Sequence, residues 1–201
     1  MPKLRERGEQ IMKLGLFSGT FDPIHNGHIA LAKEIIKRKI CDLVYILPER
    51  RPRYKPNVSM YEKRLAMALL ATKHNPYLLV PTQKLKLIKG DYHTASEIIP
   101  IFKKNNAVDL KLILGNDVFG NIHKWRDINS LAKQIAFIVA VDDYEKTKIN
   151  NIDTKLRVKF VPKVYPDVSS TKVREQIKQD AACKYVAKEV GGYIKNNKLY
   201  I

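Results

Sequence analysis

The sequence predicts an α/β protein built on a doubly wound parallel sheet with helices at its C-terminal end. Three observations carry that prediction. Short β-rich apolar runs recur at residues 14–17, 43–47, 78–80, 110–114, 136–141 and 158–161. Stretches with helical periodicity lie between them, so strand and helix alternate. The runs are apolar enough to suit strands covered on both faces, which is the habit of parallel sheets.

The first run leads into Gly19, Thr20, Phe21, Asp22, Pro23, Ile24, His25, Asn26, Gly27 and His28. A strand that ends in a glycine turn and enters a helix aims backbone N–H groups, and the positive end of the helix dipole, at a ligand. Phosphate is the expected guest. His25 and His28 lie three apart, so on the first helical turn they share a face and can grip one phosphate together. Leu31 with Ile35 and Ala32 with Ile36 continue that helix as an i, i+4 stripe. The second run opens a basic loop, Arg50, Arg51, Pro52, Arg53, Tyr54, Lys55 and Pro56. Ser59 and Glu62 then form a capping-box pattern for a helix with Leu65, Ala66, Leu69 and Leu70 on its inner stripe. Thr94 and Glu97 repeat the device ahead of Ile98 and Ile99. After the last strands, Ser169, Ser170 and Thr171 open a helix with Val173 and Ile177 on its inner face. Hydroxyls, a helix N-terminus and Arg174 suit phosphate, although capping alone would account for a serine at that point.

The length of 201 residues and the 45% hydrophobic content predict one globular domain at residues 13–201 behind an N-terminal extension at 1–12. No apolar run approaches the roughly 20 residues of a membrane helix, and the basic opening lacks the apolar segment of a signal peptide. A cytoplasmic location is expected. Cys41 and Cys183 belong to no closely spaced ligand pair, so no zinc site or disulfide framework is signalled. The formal net charge of +17 favours anionic partners, while the plainer reading of many of these lysines is a solvated surface.

The segment from Gly19 to His28 resembles the T/HxGH signature of the nucleotidyltransferase superfamily, and Ser169 to Arg174 resembles its ISSTxxR partner. Gly115, Asn116 and Asp117, followed by His123, Lys124 and Trp125, look like the GxD…HKW segment of bacterial nicotinate mononucleotide adenylyltransferases. Leu47 and Pro48 through Lys55 resemble that family's IP…PPHK loop, Arg64, Leu65 and Met67 its RLxML helix, and Tyr185 through Tyr200 its closing pattern. The chain departs from the family at Arg53 and Tyr54, which replace a proline and a histidine of the loop, with Lys55 kept. At Tyr92, His93, Thr94, Ala95 and Ser96 it keeps the threonine of SYTxDTL but not the tyrosine or the aspartate. Arg126 stands where the family often has an aromatic, and Val141 to Tyr144 replace an arginine-proline-glycine turn.

The resemblance implies a Rossmann-like fold and adenylyl transfer from ATP to nicotinate mononucleotide. The mononucleotide phosphate attacks the α-phosphorus in line and expels pyrophosphate, so the protein mainly aligns two polyanions and neutralises developing charge. It implies His25, His28, Lys55 and Arg174 as the catalytic set, with either histidine able to be protonated when pressed against triphosphate. Gly19, Thr20, Phe21, Ser169, Ser170 and Thr171 would hold ATP. Thr94, Gly115, Asp117, Lys124 and Trp125 would hold the acceptor, Trp125 by stacking on the pyridine and Asp117 on a ribose hydroxyl. Taken alone, Trp125 reads as core and Asp117 as a helix cap. Mg²⁺ would be bound through the ATP phosphates, with no protein metal site. His93 either contacts substrate or faces water.

The expected partners are ATP and nicotinate mononucleotide, with no membrane, and a homo-oligomer stays open. Within the enzyme class the alternatives are transfer to nicotinamide mononucleotide or to another phosphate acceptor such as phosphopantetheine. From another class, a basic RNA-binding module on the same fold has the +17 charge in its favour. The two intact phosphate motifs disfavour nucleic acid.

Overall fold

The computed structural model describes residues 11–52, 55–88, 95–103, 108–125, 127–142, 156–165, 167–179 and 184–201. Six strands form one parallel sheet in the order β3-β2-β1-β4-β5-β6. They are β1 Met12–Gly19, β2 Leu43–Pro48, β3 Leu78–Leu79, β4 Val108–Gly115, β5 Ala136–Val141 and β6 Val158–Pro162. This is the order of a doubly wound sheet, in which the chain reverses its direction of sheet growth between β1 and β4.

The helices are α1 Asn26–Lys37, α2 Tyr61–Thr72, α3 Thr82–Leu85, α4 Ala95–Phe102, α5 Asn116–Phe119, α6 Ile128–Gln134, α7 Ser170–Lys178 and α8 Lys188–Asn196. They cover both faces. Ile35 of α1, Met67 of α2, Val173 of α7 and Val190 of α8 close a core over Phe17, Val44, Ile46 and Ile113. On the other face Leu85, Ile98, Phe102, Phe119 and Leu131 close a second core over Leu14, Leu16, Leu112 and Phe137. Within β1, Leu14 and Leu16 face one core and Phe17 the other, the period-two division of a strand buried on both sides.

Three local expectations are corrected. The capping box of Ser59 and Glu62 does not form: α2 starts at Tyr61 behind Met60, with no side-chain cap. Ser59 instead donates its N–H to Asp22, and its carbonyl accepts from Arg64 Nε. The inner face of α2 is Arg64, Met67, Ala68 and Thr72, and Leu69 of the expected stripe is 42% exposed. No described glycine has a positive φ; Phe21 is the left-handed residue of the first turn, at φ 50°. Gly19 extends β1 and serves by its missing Cβ, which would stand 3.1 Å from the Phe21 ring. Cys41 is a buried free thiol whose pKa burial pushes up to about 12. Thr94, His93, Arg53, Tyr54, Cys183, Arg126 and Tyr144 lie outside the described residues.

Candidate active site

The register of the sheet brings three loops together. Gly19 pairs with Pro48, so the turn after β1 and the basic loop after β2 leave the sheet side by side. Phe17 pairs with Ile113, and β1 and β4 each end two residues later, at Gly19 and Gly115. The segments from Gly19 to His28 and from Gly115 to Trp125 therefore start from neighbouring carboxyl ends at the reversal point, where such sheets bind ligands.

His25 is the N-cap of α1 and His28 its third residue, so only His28 sits on the helical turn. The two side chains still converge: their rings stack at 3.6 Å between centroids, 27° from parallel. His28 Nδ1 accepts the N–H of His25 at 3.2 Å, one half of a capping-box arrangement, and this leaves the ring proton on Nε2. The His25 side chain faces the His28 N–H without a hydrogen bond of its own, and its Nδ1 is buried with no partner. Gly27, between them, makes the stack possible. A Cβ at that position would stand 3.0 Å from His25 Nδ1 and 3.1 Å from its Cε1. Gly27→Ala should therefore move stability and turnover in opposite directions. Alanine favours a helix by up to about 1 kcal/mol over glycine, while a few tenths of an ångström of ring displacement should lower kcat about tenfold. Thermal unfolding and initial rates on the same preparation check this; an unchanged kcat contradicts it.

The candidate anion site is narrower than a bare helix N-terminus, because the Asn26 N–H already donates to the Tyr185 carbonyl at 2.7 Å and the His28 N–H to the His25 carbonyl at 3.0 Å. Side chains carry more of the work. Burial pushes the His25 imidazole down to about 4. Burial, then the charges of His25 and Lys55, hold His28 well below the ordinary histidine range. Both rings are neutral in the free protein at pH 7. The effect of Lys55 on His28 also puts that exposed ammonium within electrostatic reach of the pair.

The unfolded chain protonates these rings near pH 6.5, whereas folded His25 does so only near 4. Between those values the unfolded state binds more protons, so stability rises with pH and is lost as pH falls through the window. Bound triphosphate favours imidazolium and should shift the folded pKa values back up. We expect the melting temperature of the free protein to fall from pH 6.5 toward 4, to fall less with ATP, and to follow a flatter profile in His25→Gln. Identical profiles with and without ATP contradict this.

The late motif closes on the first. Ser169 caps α7, its hydroxyl accepting the Lys172 N–H at 3.2 Å. Ser170 Oγ donates to the Pro23 carbonyl at 2.9 Å and Arg174 Nη1 to the Asp22 carbonyl at 2.8 Å. Arg174 Nη2 donates to Thr171 Oγ1 at 3.3 Å. On the β4 side, Gly115 caps α5, placing Asp117 exposed in its first turn. A Cβ on Gly115 would meet Asp117 Oδ1 at 2.5 Å, so glycine is what lets that carboxylate lie over the strand end. His123 and Lys124 are exposed in a 3-10 turn, and half-buried Trp125 packs against the second core. Trp125 thus has one side in the core while part of its surface stays accessible.

A sequence profile of the cytidylyltransferase-like family matches residues 16–176. A probable nicotinate-nucleotide adenylyltransferase of Bacillus cereus strain Q1 is 32% identical over 192 residues, 94% of this chain and 98% of the relative. The chain belongs to the nicotinate-nucleotide adenylyltransferase family. A second member, a probable nicotinate-nucleotide adenylyltransferase of Dictyoglomus turgidum, is 30% identical over 197 residues, 94% of this chain and 96% of the relative. The fold is shared with the Plasmodium falciparum nicotinic acid mononucleotide adenylyltransferase complexed with NaAD. That structure has a TM-score of 0.72 at 17% identity, over 94% of this chain and 97% of the other.

Three residues to which sequence reasoning assigned no role hold these converging loops together. Arg64 is fully buried and donates to three loop carbonyls, Thr20 at 2.7 Å, Ser59 at 2.8 Å and Arg50 at 2.9 Å. Asp22 is buried, and Tyr200 donates to it at 2.6 Å. For the first, the available signal is an arginine amid the apolar positions of α2, whose one carboxylate, Glu62, is two residues away and so on another face of the helix. Asp22 and Tyr200 pair across the whole chain, and no local pattern announces them.

Proposed function

We propose that this protein transfers the adenylyl group of ATP to the 5′-phosphate of nicotinate mononucleotide, giving nicotinate adenine dinucleotide and pyrophosphate in NAD biosynthesis. The single observation that carries the reading is the clasp between the two phosphate motifs. Ser170 and Arg174 are hydrogen-bonded to Pro23 and Asp22, beside the stacked His25 and His28. It agrees with the names of the relatives and with the NaAD complex of the Plasmodium structure.

In the proposed reaction an acceptor phosphate oxygen forms a bond to the α-phosphorus as the bond to the pyrophosphate oxygen breaks, with no covalent enzyme intermediate. His25 and His28 act as neutral donors that gain charge only as phosphate approaches, stabilising negative charge where it develops. Gly19, Thr20, Phe21, Ser169, Ser170 and Thr171 line the ATP side, and Lys55 and Arg174 add cations. Gly115, Asp117, Lys124, Trp125 and Thr94 take the acceptor. Among the described residues no group of three or more His, Cys, Asp or Glu is placed to hold a metal. Mg²⁺ would be held through the phosphate oxygens of ATP and water, where it would neutralise charge on the departing pyrophosphate.

Trp125 is the sole tryptophan, so intrinsic fluorescence reports on the acceptor subsite directly. Nicotinate mononucleotide should quench it saturably, and ribose 5-phosphate, which lacks the ring, should not. Equal responses to both would remove the stacking role.

A further inference from the structure

The hydroxyl of Tyr200 donates to Asp22 Oδ1 at 2.6 Å, 178 residues away in sequence. The other carboxylate oxygen accepts the Ser59 N–H at 3.1 Å, and the Asp22 carbonyl accepts Arg174 Nη1 at 2.8 Å. One residue thus fastens four segments: the turn after β1, the loop before α2, the first turns of α7, and the C-terminal end of the chain.

Tyr200 reaches Asp22 through unfavourable backbone. Lys198 and Tyr200 lie in the left-handed region at φ 48° and 66°, as does Phe21, directly before Asp22, at 50°. Bulky side chains keep such angles only where their surroundings over-determine them. Here they do. The Leu199 N–H donates to the Ile194 carbonyl at 3.0 Å, Lys63 Nζ donates to Asn197 Oδ1 at 2.9 Å, and Leu199 and Tyr200 pack on the core. A short O–H···O⁻ bond from a tyrosine to a carboxylate is charge-assisted and directional, and so suited to fixing an orientation. Burial, then the bond to Asp22, push the Tyr200 pKa up, so the hydroxyl stays a donor.

We propose that Tyr200 is a positioning residue for adenylyl transfer, holding Asp22 so that its carbonyl fixes the Arg174 guanidinium beside His25 and His28. The inference rests on the function proposed above and adds to it a dependence on the C-terminal tyrosine. Tyr200→Phe keeps the ring and removes only the donor. It should lower kcat about tenfold, leave the KM for ATP within twofold, and change the melting temperature little. Asp22→Asn should give a similar loss, and the two together little more than either alone.

In an Arg174→Lys background, where a single ammonium cannot both bond the Asp22 carbonyl and face phosphate, Tyr200→Phe should change kcat less than twofold. A kcat within twofold of wild type for Tyr200→Phe, or a tenfold loss that persists with Arg174→Lys, overturns the role. A purely structural latch would lower the melting temperature and leave kcat alone. If wild type releases no pyrophosphate with any acceptor, the functional reading fails and takes this role with it. An active wild type with an unaffected Tyr200→Phe sinks the role alone.

Discussion

His28→Ala is expected to lower kcat on the order of 10²–10³-fold, the loss typical of removing one preorganised donor from a charge-stabilising site. His28 is constrained in orientation and in protonation. Its Nδ1 is occupied by the His25 N–H, its ring stacks on His25 at 3.6 Å, and its edge contacts run to Phe21 at 4.9 Å and Phe17 at 5.9 Å. The remaining proton, on Nε2, is the group available to phosphate. Alanine removes that donor and lets the His25 ring move, so both histidines lose register at once. The helix itself remains, because its backbone hydrogen bonds and its Leu31, Ala32 and Ile35 face do not involve the ring, and only the capping bond from the His25 N–H is lost. Circular dichroism should therefore be near wild type while initial rates collapse. Turnover within threefold of wild type would contradict the assigned role.

The second large effect concerns stability. Arg64→Met leaves the carbonyls of Thr20, Arg50 and Ser59 without their buried donor and should cost about 3–5 kcal/mol. The guanidinium is matched to this site because its donors point three ways within one plane, whereas the ammonium of Arg64→Lys can serve fewer of the carbonyls and should recover only part of the loss. Urea denaturation with an unchanged slope checks the number, and a loss below about 1 kcal/mol contradicts it. Thr20 belongs to the turn after β1, proposed above to line the ATP side, and Arg50 to the loop that carries Lys55, so surviving activity in Arg64→Met should also show a raised KM for ATP.

The strands were legible because each centres on a short apolar run, broken by one lysine in β4 (Lys111) and one in β6 (Lys159), and β5 was read to the residue, since a strand buried on both faces leaves no ambiguity of period. The face of α2 was misread because a buried arginine breaks the apolar stripe that marks a core face. Its three hydrogen-bond acceptors come from loops that no helical pattern can foresee. The phosphate motifs were visible through residue type and spacing, and His25 and His28 do converge. Their neutrality and the N-cap position of His25 follow from burial and helix phase, which spacing alone does not carry. The Asp22–Tyr200 pair was illegible for a plainer reason: contacts across 178 residues leave no trace in a local window.

On the proposed function, this site joins an adenylyl group to nicotinate mononucleotide. Incubating the protein with ATP and Mg²⁺ and, in parallel, nicotinate mononucleotide, nicotinamide mononucleotide or phosphopantetheine, then weighing the products by mass spectrometry, tests it most directly. The expected result is nicotinate adenine dinucleotide formed with the highest kcat/KM of the three. A dinucleotide from another acceptor but none from nicotinate mononucleotide would contradict the account.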